Sequence, residues 1–145
     1  MINLSGNSVS TVTQDGIYIF KKQPKYLADN EWYALETLRP TGLVPIAWRI
    51  DDETIQMECL VSNPVYDPDK FLKNCDWALG VILNKGLRHG DITTPHVFVA
   101  SDMPIIIDWG ESRIIGDPRP DKRREGDEYW LIKTANQLID VQHKG

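Results

Sequence analysis

Two short acidic motifs, separated by the length of one hairpin, constrain the fold of this sequence more than any other feature. The first motif is His-Gly-Asp at residues 89–91, and the second is Ile-Ile-Ile-Asp-Trp-Gly at residues 105–110. Between them, two short apolar runs flank a Ser-Asp turn signal, which predicts a β-hairpin over residues 97–107. Because a hairpin returns the chain to the edge at which it began, we expect Asp91 and Asp108 to lie at one edge of a cleft.

Carboxylates in these two settings suit phosphoryl transfer. An aspartate at a loop tip, such as Asp91, can orient an attacking hydroxyl or accept its proton. An aspartate that ends an apolar strand, such as Asp108, can hold a divalent cation against a polyphosphate, and Gly110 lets the chain turn away from it. Either aspartate alone fits an ordinary loop residue or strand cap. The two motifs together favour the catalytic interpretation.

The first half of the sequence contains a candidate ion pair. Residues 8–22 read as a β-hairpin and residues 25–38 as a helix, and Glu31 interrupts the apolar stripe of that helix. A carboxylate turned inward needs a cationic partner, and Lys21, at the end of the preceding strand, is the candidate. In the alternative interpretation, Glu31 lies at the edge of the stripe and Lys21 on the surface. The neighbouring Lys22 is expected on the opposite face of its strand.

The remaining elements follow from periodicity and turn signals. Apolar β-rich runs predict strands at residues 43–50 and 54–60, the Ser-Asn-Pro break at 62–64 is a candidate link, and helices are expected at 68–85 and 127–141. Residues 110–126 are polar and read as a loop. The sequence therefore predicts strands with one helix, a break, and then a mostly helical second half.

The motifs together resemble those of the protein-kinase-like superfamily. The resemblance implies an α+β, two-lobe fold in which residues 1–60 form a small antiparallel β N-lobe with one helix. Residues 61–145 then form a truncated helical C-lobe, the two making one kinase-like domain. ATP and Mg²⁺, or Mn²⁺, are implied between the lobes, with Asp91 as the catalytic aspartate and Asp108 as the main metal ligand and a nucleotide-binding residue. Lys21 and Glu31 are implied as the pair that positions the phosphates.

Two further segments narrow the resemblance. The run His-Gly-Asp-Ile-Thr-Thr at 89–94 and the run Gly-Asp-Glu-Tyr-Trp-Leu at 126–131 are similar to the small atypical kinases of the KEOPS tRNA-modification complex. That match implies that Asp127 accepts backbone N–H bonds from the catalytic loop. Kinases of small molecules share the His-Gly-Asp form, so the acceptor class stays open.

The segment Ile-Gln-Met-Glu-Cys-Leu at 55–60 resembles the strand that enters the hinge of this superfamily. The resemblance puts Met57 at the back of an adenine pocket, with backbone groups of Glu58 and Leu60 on the adenine edge. The alternative is that Met57 is simply a core residue.

Three features depart from the family pattern. His96 occupies the position at which the family has a metal-ligating asparagine, and the resemblance implies it as a second metal ligand beside Asp108. A neutral imidazole can ligate a divalent metal, but it is a poor ligand for Mg²⁺, which prefers oxygen. We therefore expect Mn²⁺ to serve at least as well as Mg²⁺. The glycine-rich loop is reduced to one glycine at residues 6–9, and little chain follows residue 126 to support a protein substrate.

Composition limits the class of protein. The net charge of −5 argues against a broad nucleic-acid-binding surface, and no apolar run approaches the roughly 18 residues of a membrane span. Cys59 and Cys75 have no metal-type spacing and read as free thiols, so a cytoplasmic location is expected. The first ten residues have no basic stretch followed by a long apolar run, so no signal peptide is expected.

These patterns predict an ATP-dependent phosphotransferase of the serine/threonine protein kinase type, with possible ATPase activity. The alternatives are a pseudokinase that binds nucleotide as a scaffold, or a small-molecule kinase. A protein substrate or partner is expected, and the basic segment 119–124 is either its docking patch or a solvated loop.

Overall fold

A computed structural model of the protein describes residues 2–6, 10–121 and 125–144. The chain forms nine strands and three α-helices over these residues, with two short 3-10 turns, at Arg39–Thr41 and Thr94–His96. The strands are β1 (Ile2–Gly6), β2 (Thr11–Asp15), β3 (Tyr18–Lys22), β4 (Ala47–Arg49), β5 (Thr54–Glu58), β6 (Leu87–Arg88), β7 (Val97–Ala100), β8 (Met103–Ile106) and β9 (Arg113–Ile114). The helices are α1 (Lys25–Leu38), α2 (Pro68–Asn84) and α3 (Gly126–Lys144).

The first five strands form one antiparallel sheet in the order β1-β2-β3-β5-β4. Side chains alternate across a strand, so the pairing of Lys21 with Ile55 puts both on the inner face, where both are buried. Lys22 points to the other face and is exposed, as predicted. Helix α1 packs below this sheet through Leu35 and Leu38.

The second half packs two helices, one hairpin and one pair of short, non-consecutive strands around the rest of the core. Asp67 caps α2, its Oδ1 accepting from the amides of Asp69 and Lys70 at 3.0 and 3.2 Å. Helices α2 and α3 pack together through Cys75 and Leu131, both with no exposed surface. The β7–β8 hairpin packs against α2, and β6 pairs with β9. The hairpin returns the chain as predicted, carrying Asp108 back beside Asp91.

Helix α1 has the predicted ends, and α2 and α3 are present with ends that differ from the prediction by a few residues, but several strands differ. The run 43–50 forms a strand only at β4, because Leu43 and Val44, although buried, lie in a bend. The two-residue strands β6 and β9 were not predicted because runs this short carry no periodic signal, and strand β1 was not predicted either. The mixed fold of an antiparallel β N-lobe followed by helices is confirmed.

The segment expected to link the two halves is tied to the second one. The Asn63 amide donates to the Val99 carbonyl at 2.8 Å, and Ser62 Oγ accepts from the Val99 amide at 3.0 Å. Asn63 Oδ1 also accepts from the Ser101 amide at 2.7 Å. The division at residue 60 stays a prediction. None of the helices described here is long and apolar enough to cross a membrane.

Candidate active site

A cavity of about 480 Å³ lies between the N-terminal sheet and the loops of the second half. All the residues that the sequence nominates for the site line it: Lys21, Glu31, Glu58, Leu60, Asp91, His96 and Asp108. The structure therefore brings together groups from five separate stretches of the chain.

Lys21 stands between two carboxylates. Its Nζ lies 3.0 Å from Glu31 Oε1 and 2.7 Å from Asp108 Oδ1. Burial alone would lower the pKa of Lys21, but the charges and hydrogen bonds of Glu31 and Asp108 raise it above its usual range. The ammonium is therefore permanently charged and held at the inner end of the cavity, in the ion pair that the sequence predicts.

Glu31 is almost completely buried, with 1% of its surface exposed. It is fully partnered: Gln23 Nε2 donates to Oε1 at 2.7 Å, and the Trp109 amide donates to Oε2 at 3.2 Å. Glu31 thereby connects helix α1 to β3 through Lys21 and to the segment that follows Asp108.

Asp108 ends the extended run after β8 in a left-handed conformation, with φ of 66°. Such a backbone is uncommon outside glycine, although aspartate tolerates it better than most residues. Its Oδ1 accepts from Lys21 and its Oδ2 lies 2.8 Å from His96 Nε2. Burial opposes ionisation here, but His96 and Lys21 outweigh it and lower the pKa of Asp108 below its usual range. The carboxylate is therefore ionised at any physiological pH.

The loop that carries Asp91 is held in place because the amides of residues 89–91 all donate hydrogen bonds. Asp127 accepts from the His89 and Gly90 amides at 2.7 and 2.9 Å, as the resemblance implies. The Asp91 amide donates to His89 Nδ1 at 3.1 Å, so His89 Nε2–H donates to the Ile107 carbonyl at 2.8 Å. Burial lowers the pKa of His89, consistent with this neutral ring.

Gly90 has a structural requirement of its own. Its φ is 87°, and a Cβ there would meet the Glu111 carbonyl oxygen at 3.1 Å. A side chain at this position would therefore be strained and crowded, so the glycine of His-Gly-Asp is needed for the loop to pack.

His96 completes the cluster. Its Nδ1 lies 2.8 Å from the Asp91 carbonyl oxygen and its Nε2 2.8 Å from Asp108 Oδ2, and both of these oxygens only accept. Burial alone lowers the pKa of His96, but the Asp108 carboxylate raises it overall. One ligand atom from each of Asp91, His96 and Asp108 lies within 4.8 Å of the others. Two carboxylates and an imidazole at this spacing fit one divalent cation.

The hinge segment lies at the far side of the cavity. Met57 is buried and lines it, but the Glu58 amide already donates to the Ile46 carbonyl at 3.0 Å. Of the two backbone groups of Glu58, only the carbonyl therefore remains a candidate for binding the edge of a ligand. The Leu60 backbone makes no hydrogen bond within the described part of the chain, so both of its groups can bind a ligand edge.

Sequence reasoning missed the polar supports and the apolar walls. Asn30 Nδ2 donates to the carbonyls of Gly110 and Ser112, each at 2.7 Å, and fastens α1 to the segment after Asp108. No periodic pattern distinguishes such an amide from a solvated one. The walls are Val12, Ile19, Phe98 and Ile107. Strand alternation assigns such positions to a face but does not reveal that the face borders a cavity.

Two expectations fall partly outside the described residues. Residues 7–9 of the reduced glycine loop and residues 122–124 of the basic segment belong there. Within the described part of that segment, Arg119 pairs with Asp117 at 2.6 Å and is exposed. This favours the interpretation of Arg119 as a solvated loop residue.

Comparison with known proteins shows similarity in fold, at low sequence identity. No family model and no curated protein matches the sequence. The Rio2 kinase of Chaetomium thermophilum matches over 95% of this chain with a TM-score of 0.65 and 16% identity, and over 97% in its complex with ADP, Mg²⁺ and phosphoaspartate, with 0.65 and 15%. WbdD, crystallised with a kinase inhibitor, matches over 95% with a TM-score of 0.58 and 14% identity. The chain spans 54% of each Rio2 structure and 45% of WbdD. The chain therefore has a protein-kinase-like fold.

Proposed function

We propose that this chain is an ATP-dependent phosphotransferase that passes the γ-phosphate of ATP to a hydroxyl group. One observation carries the proposal: Lys21, its buried partner Glu31, and the carboxylates of Asp91 and Asp108 line a single cavity of about 480 Å³. Placing these four groups together requires a buried carboxylate and a left-handed aspartate. Both are costly to the fold, and such costly features are concentrated at functional sites.

Each residue has a distinct task in this mechanism. Glu31 holds Lys21 so that its ammonium faces the phosphate end of the cavity, where it binds negatively charged oxygens. The Glu58 carbonyl and the Leu60 backbone bind the edge of the base between the apolar walls. Asp91, on a loop made rigid by Asp127, orients the attacking hydroxyl and accepts its proton.

The carboxylates also provide for the divalent cation that the fold implies. Asp108, with Asp91 and His96, would hold it, since their ligand atoms lie within 4.8 Å of one another. When bound, the ion supplies charge neutralisation and polarisation at the phosphate oxygens. The Rio2 kinase complex with ADP and Mg²⁺ supports the proposal of such an ion in this fold.

The acceptor proposed is a serine or threonine hydroxyl of a protein, with hydrolysis of ATP as a side activity. Support comes from the similarity of residues 89–94 and 126–131 to the small kinases of the KEOPS complex. Asp127 accepts from the His89 and Gly90 amides, which is the role that this similarity implies for it.

The test is transfer of labelled phosphate from ATP in the presence of Mg²⁺ or Mn²⁺, to water, to the protein itself and to added protein. Asp91→Asn should lower the rate by about 100-fold or more, because general-base catalysis contributes at least that much. A second variant, Lys21→Met, removes the ammonium that faces the cavity. Its matched control is Lys22→Met, because Lys22 faces away from the cavity. An Asp91→Asn variant as active as the parent chain would refute the proposal.

A nucleotide-binding scaffold is the second candidate. It is favoured by the state of Asp108, both of whose oxygens are engaged by Lys21 and His96. A scaffold predicts that ATP binds with micromolar or better affinity while no metal supports turnover. Turnover that depends on Asp91 would exclude it.

A further inference from the structure

We propose that His96 is a direct metal ligand, and that it makes the cation site selective for a first-row transition divalent ion over Mg²⁺. The inference rests on the proposed function for the presence of a cation in the cavity. It adds the class of ion that the site prefers, and the role of the His96 imidazole in that preference.

The orientation of the imidazole carries the argument. His96 Nδ1 lies 2.8 Å from the Asp91 carbonyl oxygen, so this nitrogen donates its hydrogen to the backbone. Histidines that ligate metals almost always donate their second nitrogen in this way, which directs the remaining nitrogen to the ion. Here the remaining nitrogen, Nε2, points into the cluster and lies 2.8 Å from Asp108 Oδ2.

The backbone of His96 is held as firmly as its ring. Its amide donates to the Thr93 carbonyl at 2.9 Å, closing the 3-10 turn that contains Pro95. Its carbonyl accepts from the Ile107 amide, also at 2.9 Å, one residue before Asp108. With only 17% of its side chain exposed, His96 is not a mobile surface histidine. A ligand held from both sides is placed without further ordering when the ion arrives.

The donor set determines the preference. Asp91 and Asp108 supply oxygen, which suits Mg²⁺ and Mn²⁺ alike, while His96 supplies nitrogen, which Mg²⁺ accepts poorly. An ion held by all three takes the place of the hydrogen that Nε2 and Oδ2 now share. An oxygen ligand in place of His96 would remove the discrimination between the two ions.

The experiment uses Mn²⁺ alone, without nucleotide, as the probe. Calorimetry compares the affinities of Mn²⁺ and Mg²⁺ for the parent chain and for His96→Asn, which offers an amide oxygen. We expect His96→Asn to weaken Mn²⁺ binding by about 10-fold or more, and to change Mg²⁺ binding much less. Pulsed EPR of bound Mn²⁺ should show coupling to a directly bound ¹⁴N in the parent chain, and that coupling should be lost in the variant.

Two controls separate binding at His96 from binding elsewhere on the protein and from loss of the fold. Asp52→Asn alters the exposed acidic turn at residues 51–53, and should leave both affinities and the EPR spectrum unchanged. His96→Gln provides a second replacement if circular dichroism shows that His96→Asn is not folded. Bound Mn²⁺ without nitrogen coupling in the parent chain would overturn the inference.

The inference and the proposed function fail differently. Phosphate transfer with Mg²⁺ as effective as with Mn²⁺, together with no nitrogen coupling, would overturn the role of His96 and leave the phosphotransferase intact. Nitrogen coupling without any phosphate transfer would support the role of His96 and count against the proposed function alone.

Discussion

Glu31 shows how one residue can connect the interior of the protein to its candidate chemistry. Its two oxygens accept from Lys21, Gln23 and the Trp109 amide, so a single carboxylate joins the sheet, helix α1 and the segment after Asp108. A buried ion pair of this kind contributes little net stability, but removing one partner leaves the others unsatisfied.

The first prediction concerns that removal. Glu31→Ala should lower the free energy of unfolding by about 3 kcal/mol, because Lys21 and an amide lose their buried acceptor. Urea denaturation measures the change. Glu36→Ala, at an exposed position on the same helix, is the control, and should change stability by no more than about 0.5 kcal/mol. Equal effects of the two changes would show that Glu31 is not structurally paired in solution.

The two cysteines differ sharply in their surroundings. Burial raises the pKa of Cys75 to about 12, whereas Cys59 is only half-buried. In the unfolded chain the thiol ionises near pH 8.5, so above that pH the unfolded state binds fewer protons than the native state. Ionisation of the thiol therefore stabilises the unfolded state, and the free energy of unfolding falls as pH rises from about 8.5 toward the pKa of Cys75 in the native protein.

The second prediction follows from this sign. Above pH 8.5 the contribution of Cys75 should diminish stability by about 1 kcal/mol for each pH unit. The slope is isolated as the difference between the parent chain and Cys75→Ala over the same pH range. At pH 8, iodoacetamide should modify Cys59 in the native protein and Cys75 only after unfolding. Rapid native labelling of Cys75 would contradict its burial.

At the scale of elements, helix α3 reaches the loop that carries Asp91 through its first turn. Asp127 accepts from two consecutive loop amides, so the helix start and the loop behave as one unit. Helix α1 does the same on the other side, where Asn30 bonds two carbonyls after Asp108. The two loops of the candidate site are thus fastened to helices and do not depend on their own turns alone.

The third prediction tests the contact made by α3. Asp127→Ala leaves the His89 and Gly90 amides without their acceptor, which should lower stability by roughly 1–3 kcal/mol. Amide hydrogen exchange at these two residues should accelerate more than exchange in the β7–β8 hairpin. Asp140→Ala, an exposed change on the same helix, should leave exchange in the loop as it is. Uniform acceleration throughout the chain would indicate general destabilisation and no specific role in the loop.

At the scale of the whole molecule, the candidate site exists only when the two halves are together. Lys21 comes from the sheet and Asp108 from the loop after β8, 87 residues later in the chain. A ligand that bridges these halves should therefore stabilise the complete fold, because it binds the native state alone.

The fourth prediction is a thermal shift. With Mn²⁺ present and free ATP at 100 times the dissociation constant of the ATP complex, ligand binding should add about 2.7 kcal/mol to the free energy of unfolding. Asp108→Ala should abolish the part of this gain that depends on the metal, while ATP alone still stabilises. A metal-dependent gain that survives Asp108→Ala would refute the assignment of Asp108 as the main ligand.

Local patterns were sufficient for much of the fold. The period of the apolar residues predicted α1, α2 and α3, and turn chemistry predicted the β7–β8 hairpin, because both effects act between residues close in the chain. The acidic motifs at 89–91 and 105–110 could be recognised for the same reason: each lies within a few residues of its own strand or loop. Even the Lys21–Glu31 pair could be predicted from the sequence, because the periodicities of the strand and the helix put both side chains on inner faces.

The tertiary structure alone decided the contacts between residues that are distant in sequence. The assignment of Asn30 to carbonyls 80 and 82 residues away, and the engagement of the Glu58 amide by Ile46, depend on how elements pack. The occupation of both Asp108 oxygens depends on packing too, because it needs β3 and the His96 turn on either side of one carboxylate. Periodicity assigns a side chain to a face, but its partner is determined by the three-dimensional arrangement of the other elements.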